Sequence, residues 1–181
     1  VGNSDSGAAA DVMTHLIGRG ARQIRFVCGQ PPETEGYVRH RYQRYRHSMK
    51  VAGLPVAEPL VVGKDEALVA QLRQCDAVFC ATDTLACTVM RVCLAAGLRV
   101  PGELLVTGYD NTPAAELIGL TTVEQHFERI GEQAVSILLD DIEGRVSAPV
   151  HRIVRSELIT RASTGRPIGD LRVGPALTTD N

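Results

Sequence analysis

Two alternating periods constrain this chain more than any other feature. Stretches with apolar residues spaced i, i+3, i+4, i+7 alternate with short β-rich runs. The first stripe, Ala9, Val12, Met13, Leu16 and Ile17, follows the capping residues Ser4 and Asp5 and stops at Gly20. Ile24–Cys28 reads as a strand. After a polar loop over 29–36 comes a second stripe, Val38, Tyr42, Tyr45, Met49 and Ala52, closed by Gly53. Residues 60–62 read as a strand, 66–73 as a short helix and 77–80 as a strand of the buried kind. Thr82 or Asp83 can cap the next helix, whose face carries Leu85, Ala86, Val89, Met90 and Cys93, and 104–107 is a fourth strand. This order predicts an α/β fold: a parallel sheet flanked by helices, with right-handed crossovers. A long loop over 108–120, a helix over 127–143 and a strand over 151–159 complete the pattern, and 165–181 reads as a loose tail. The chain enters its first helix with no strand before it, so an upstream βα portion is expected outside it.

Composition excludes several classes. Nineteen Lys+Arg against 21 Asp+Glu give a net charge of -2, not the basic body of a nucleic-acid binder. Aromatics are 4% and Trp is absent, so single-strand stacking platforms are not expected. The five cysteines, Cys28, Cys75, Cys80, Cys87 and Cys93, form no CxxC pair. They read as reduced thiols of a cytoplasmic protein rather than a disulfide framework or a zinc site. No apolar run approaches the roughly 20 residues of a membrane span, so no membrane partner is expected. GxSxG, GxxxxGK[ST] and GxGxxG are all missing, and the histidines (His15, His40, His47, His126, His151) are scattered. Enzyme chemistry, a cofactor and a metal are therefore not expected.

In an open parallel sheet, ligands sit beyond the carboxyl ends of the strands. That rule selects Glu33, Glu35, Arg39 and Arg41 after the first strand, and Gly63, Lys64 and Asp65 after the second. It adds Ala81, Thr82 and Asp83 after the third, and Gly108, Tyr109, Asp110 and Asn111 after the fourth. An arginine, carboxylates and short polar side chains converging on one rim suit a hydroxyl-rich ligand. Asp83, at a helix start, reads more readily as a cap than as a ligand contact. The cluster Arg39, His40, Arg41, Arg44, Arg46, His47 and Lys50 reads as a solvated helix face rather than a phosphate patch.

Five segments in order resemble the effector core of the lactose/galactose repressor (LacI/GalR) family. They are Leu16-Ile17-Gly18-Arg19-Gly20 with Ile24; Val78-Phe79-Cys80-Ala81-Thr82-Asp83; and Pro101-Gly102 through Val106-Thr107-Gly108-Tyr109-Asp110-Asn111. Leu120-Thr121-Thr122-Val123-Glu124-Gln125 with Ile130-Gly131, and Leu158-Ile159-Thr160-Arg161-Ala162-Ser163-Thr164, complete the set. The resemblance implies a periplasmic-binding-protein-like (type I) lobe with an incomplete second lobe. By it, 1–122 is the C-terminal lobe of the effector core, 123–164 the hinge and returning segment, and 165–181 a flexible tail. It also implies a regulator that binds a small, sugar-like effector, forms a homodimer, and meets operator DNA through an N-terminal head outside this chain. Dimerisation is assigned to the helix over 85–96 and the loop over 112–119. By position, Asp110 and Arg41 match effector-binding residues, with Arg39 an alternative to Arg41. Thr82, Asp83 and Gln125 complete the ligand set. Arg44 replaces a usual glycine, Thr88 another, and 63–76 lacks the aromatic residue that commonly stacks on the ligand. The rival reading is an exported sugar-binding protein of a transporter.

Overall fold

Each run of alternating apolar residues becomes an element because both faces of one sheet need covering. The computed structural model describes residues 1–3, 5–34, 36–63, 65–145 and 150–165. Ser4, Glu35, Lys64 and the tail over 166–181 lie outside them. The order is β1 (Gly2–Asn3), α1 (Asp5–Gly18), β2 (Ile24–Cys28), α2 (Gly36–Val51), β3 (Leu60–Val61), α3 (Asp65–Leu72), β4 (Ala77–Cys80), α4 (Asp83–Ala95), β5 (Leu105–Thr107), α5 (Pro113–Leu117), β6 (Thr122–Glu124), α6 (Phe127–Ile142), β7 (Ile153–Val154) and β8 (Glu157–Ile159).

The central sheet has four parallel strands in the order β3-β2-β4-β5. Period-2 alternation sends Ile24, Phe26, Cys28, Ala77, Phe79 and Leu105 to a core shared with α1 and α2. Val27, Val78, Cys80, Leu104 and Val106 go to a second core with α3 and α4. Five of the seven aromatic residues lie in the first core as a continuous row. Tyr45 and Tyr42 stack beside Phe26; Phe26 meets Phe79 edge-on at 5.3 Å; Phe79 stacks on Tyr109 at 6.4 Å. The row ends beneath the carboxyl rim. Cys28, Cys80 and Cys93 are buried, and burial pushes all three thiols above their ordinary range.

Three expectations need correction. The loop over 108–120 contains α5, a single turn capped by Thr112 with Pro113 at its start. The strand over 151–159 is two short strands in different sheets: β7 pairs with β1, and β8 pairs antiparallel with β6. A strand does precede the first helix: β1 pairs with β7 and lies outside the four-stranded sheet. Two residues are too few to show a period, which is why β1 was not legible.

The row of rings gives a direct test. Phe79→Ala is expected to cost about 3–5 kcal/mol, read as a lower urea midpoint at an unchanged slope.

Candidate functional site

The rim holds one buried cation, and the site is built around it. Arg41 lies on the inward face of α2 and its side chain is 4% exposed. Its guanidinium sits 3.5 Å from the centroid of the Tyr109 ring, at the end of the aromatic row. Its Nη1 donates to the Ala81 carbonyl at 2.6 Å and lies 3.9 Å from Asp110 Oδ1. Arg39, the alternative by spacing, is exposed on the outer face of the same helix. Tyr37, one turn before Arg41, also faces it at 5.1 Å.

Asp110 is set by backbone geometry. It follows β5 with φ 119°, a region that L-residues rarely adopt, and Asn111 beside it has φ 52°. The segment leading into β6 holds this turn: Gly108 N donates to Thr121 O and Asp110 N to Val123 O. Gln125 Nε2 then donates to Asp110 Oδ1 at 2.6 Å, and Asn3 Nδ2 donates to Gln125 Oε1.

Arg41, Thr82, Asp110 and Gln125 line one cavity of about 460 Å³, together with Asn3, Tyr37 and Phe127. Sequence reasoning missed the last three. Tyr37 carried a usable signal, its i, i+4 spacing to Arg41. Tyr37 and Phe127 are the two aromatics outside the buried row.

Asp83 is the correction. It does not line the cavity; it is fully buried beneath it. Its Oδ1 accepts from Thr122 Oγ1 at 2.6 Å, and its Oδ2 accepts from Thr112 N at 2.8 Å and from Thr112 Oγ1. Its own N–H donates to Tyr109 O. The helix cap is Thr82, whose hydroxyl accepts from Leu85 N at 3.4 Å. As the first helical residue, Asp83 instead ties α4 to α5 and β6. Gly108 packs directly on it: a Cβ there would lie 2.2 Å from Asp83 Oδ1 and 2.8 Å from Leu120 Cδ2. Among the other described rim residues, Glu33 and Gly63 stay outside the cavity lining.

A second brace fixes the crossover. Asn111 Nδ2 donates to Glu124 Oε2, Arg161 Nη2 donates to Asn111 Oδ1, and His126 N donates to Glu124 Oε1. Burial pushes the Glu124 carboxyl up, but these hydrogen bonds outweigh it and hold it below the usual range. The terminal motif is absorbed the same way: Ser163 Oγ accepts from Thr121 N and donates to Val106 O, and Thr164 bonds Thr121 and His15. Among the described residues, no group of three His, Cys, Asp or Glu could hold a metal ion, and no helix is long and apolar enough to cross a membrane.

Residues 13–164 match the family model described as a periplasmic binding protein-like domain. The HTH-type transcriptional regulator CelR of Thermobifida fusca is 32% identical over 169 residues, 87% of this chain and 49% of the relative. The HTH-type transcriptional repressor PurR of Yersinia pestis is 33% identical over 171 residues, 87% of this chain and 50% of the relative. Among solved structures, a complex of the transcriptional regulator CelR with cellobiose is similar with a TM-score of 0.75 and 31% identity. It covers 89% of this chain and 52% of that one. A LacI family transcriptional regulator from Enterococcus faecium with bound ribose gives 0.78 and 25%, covering 92% and 65%. The chain spans about half the length of the curated relatives it matches.

Two outcomes are expected. Gly108→Ala costs about 3 kcal/mol in urea unfolding, whereas Gly131→Ala, on an open helix face, is neutral or slightly stabilising. The lowered Glu124 carboxyl adds stability above the ordinary glutamate range, and that contribution is lost as pH falls through the lower folded value. Melting curves between about pH 5 and 3 are therefore expected to flatten in Glu124→Gln.

Proposed function

The chain belongs to the periplasmic binding protein-like domain family, and we propose that it is the effector-sensing core of a LacI-family transcriptional regulator. The observation that carries this reading is one cavity that gathers a buried arginine, an aspartate, three uncharged polar side chains and two aromatic rings. Arginine and aspartate offer paired donors and acceptors to adjacent hydroxyls. Tyr37 and Phe127 offer apolar faces to the C–H surface of a sugar ring. Arg41, Asp110 and Thr82 bind the ligand directly and Gln125 completes the set; Asp83 supports the floor. The ligand class is a sugar or a related small polar metabolite, as in the relatives solved with cellobiose and ribose.

Residues 1–122 form the C-terminal lobe and 123–164 the hinge and the segment returning to the second lobe, with β1 paired to that segment through β7. Helix α6 supports that division. It buries no residue, and Phe127, Val135, Leu138, Leu139 and Ile142 are all at least half exposed. Such a face belongs to a helix covered by more protein, and the relatives are about twice as long. Ligand held between the lobes shifts an open–closed equilibrium by its differential affinity for the two states. Operator DNA is met through a separate head, as a homodimer in the cytoplasm. The exposed Leu94, Leu117 and Ile118, beside an apolar groove lined by Met90 and Leu98, support α4 and α5 as the dimer face. The relatives' names favour a regulator over the exported sugar-binding protein.

Calorimetry of the intact regulator with cellobiose and ribose tests the reading. Arg41→Ala and Asp110→Ala are each expected to weaken the bound sugar at least tenfold. Unchanged affinity in both variants rejects it.

A further inference from the structure

We propose that Asn3 is a positioning residue for the ligand site and acts on Asp110 through Gln125. The proposal rests on the ligand reading above. Three side chains from three separate segments form a directed chain: Asn3 Nδ2 donates to Gln125 Oε1, and Gln125 Nε2 donates to Asp110 Oδ1 at 2.6 Å. Arg41 Nη1 faces that same oxygen at 3.9 Å.

A glutamine amide has one accepting and one donating end, so whatever holds Oε1 decides where Nε2 points. Asn3 supplies a donor to Oε1 and so aims Nε2 at the carboxylate. Gln125 is 3% exposed, which leaves little water to replace a lost partner. Removing the Asn3 amide lets Gln125 rotate, and Asp110, held at φ 119°, loses one of the groups that fix Oδ1.

The position of Asn3 gives the relay its purpose. It lies on β1, which among the described residues pairs with β7 (Asn3↔Val154), whereas Asp110 hangs from the end of the four-stranded sheet. Displacing the β1–β7 ribbon pulls on Gln125. A hydroxyl seated on Asp110 favours the ribbon position in which the chain is closed. Coupling of this kind is reciprocal: ribbon position sets ligand affinity as much as ligand sets ribbon position.

Two measurements on the intact regulator test this. In the ligand-free, ¹⁵N-labelled protein, the Gln125 side-chain amide signals are expected to move in both Asn3→Ala and Asp110→Asn. In calorimetry with cellobiose and ribose, Asn3→Ala is expected to weaken the sugar that binds by about fivefold. Asn3→Ser, which keeps a donor, recovers part of that loss. The loss disappears in a Gln125→Ala background, a non-additivity that a merely structural role would not produce. A Gln125 signal indifferent to Asn3→Ala overturns the relay, as do additive losses in the double variant. If Arg41→Ala and Asp110→Ala leave sugar binding intact, the ligand reading fails instead. The amide signals still decide the relay in that case, and also if neither sugar binds.

Discussion

A guanidinium taken out of water is costly unless it finds partners, and Arg41 finds three kinds. Tyr109 offers a ring face, Ala81 a carbonyl and Asp110 a carboxylate. Each of these depends on a different part of the fold. Tyr109 is seated by the row of rings running through the core; Ala81 is where β4 ends; Asp110 is placed by a turn that β6 holds. Moving any of these elements would leave a buried charge poorly compensated. Tight packing and a polar pocket are thus one requirement in this lobe.

The backbone at the rim carries strain in proportion to its precision. Asp110, Asn111 and His126 all have positive φ, each at a cost of order 1–3 kcal/mol. Side chains from distant segments over-determine them. Asn111 is gripped by Glu124 and Arg161, and the residues after β8 pin the chain entering β6.

Helix stripes and strand runs made most of the central lobe readable, because Val12, Met13 and Leu16, or Phe26 and Phe79, face a core that admits only one period. Arg41, Thr82, Asp110 and Gln125 were readable from the carboxyl-rim rule together with the family pattern. Asp83 was not, because a helix-start aspartate looks the same whether it faces a ligand or a neighbouring turn; only the partners Thr112 and Thr122 distinguish them. Asn3 and Phe127 were hidden for another reason. They reach the cavity through β1 and the start of α6, and two-residue strands and crossovers leave no periodic trace in a sequence.

The contact of Gly108 with Asp83 divides the lobe into parts that tolerate change differently. Below the cavity, glycine and carboxylate interlock so closely that neither can be exchanged alone. Above it, Arg41, Thr82, Asp110 and Gln125 each come from a separate segment, so one wall can be rewritten without disturbing the foundation. Under the proposed ligand reading, such a division lets the lining change by single steps while the frame beneath it stays the same.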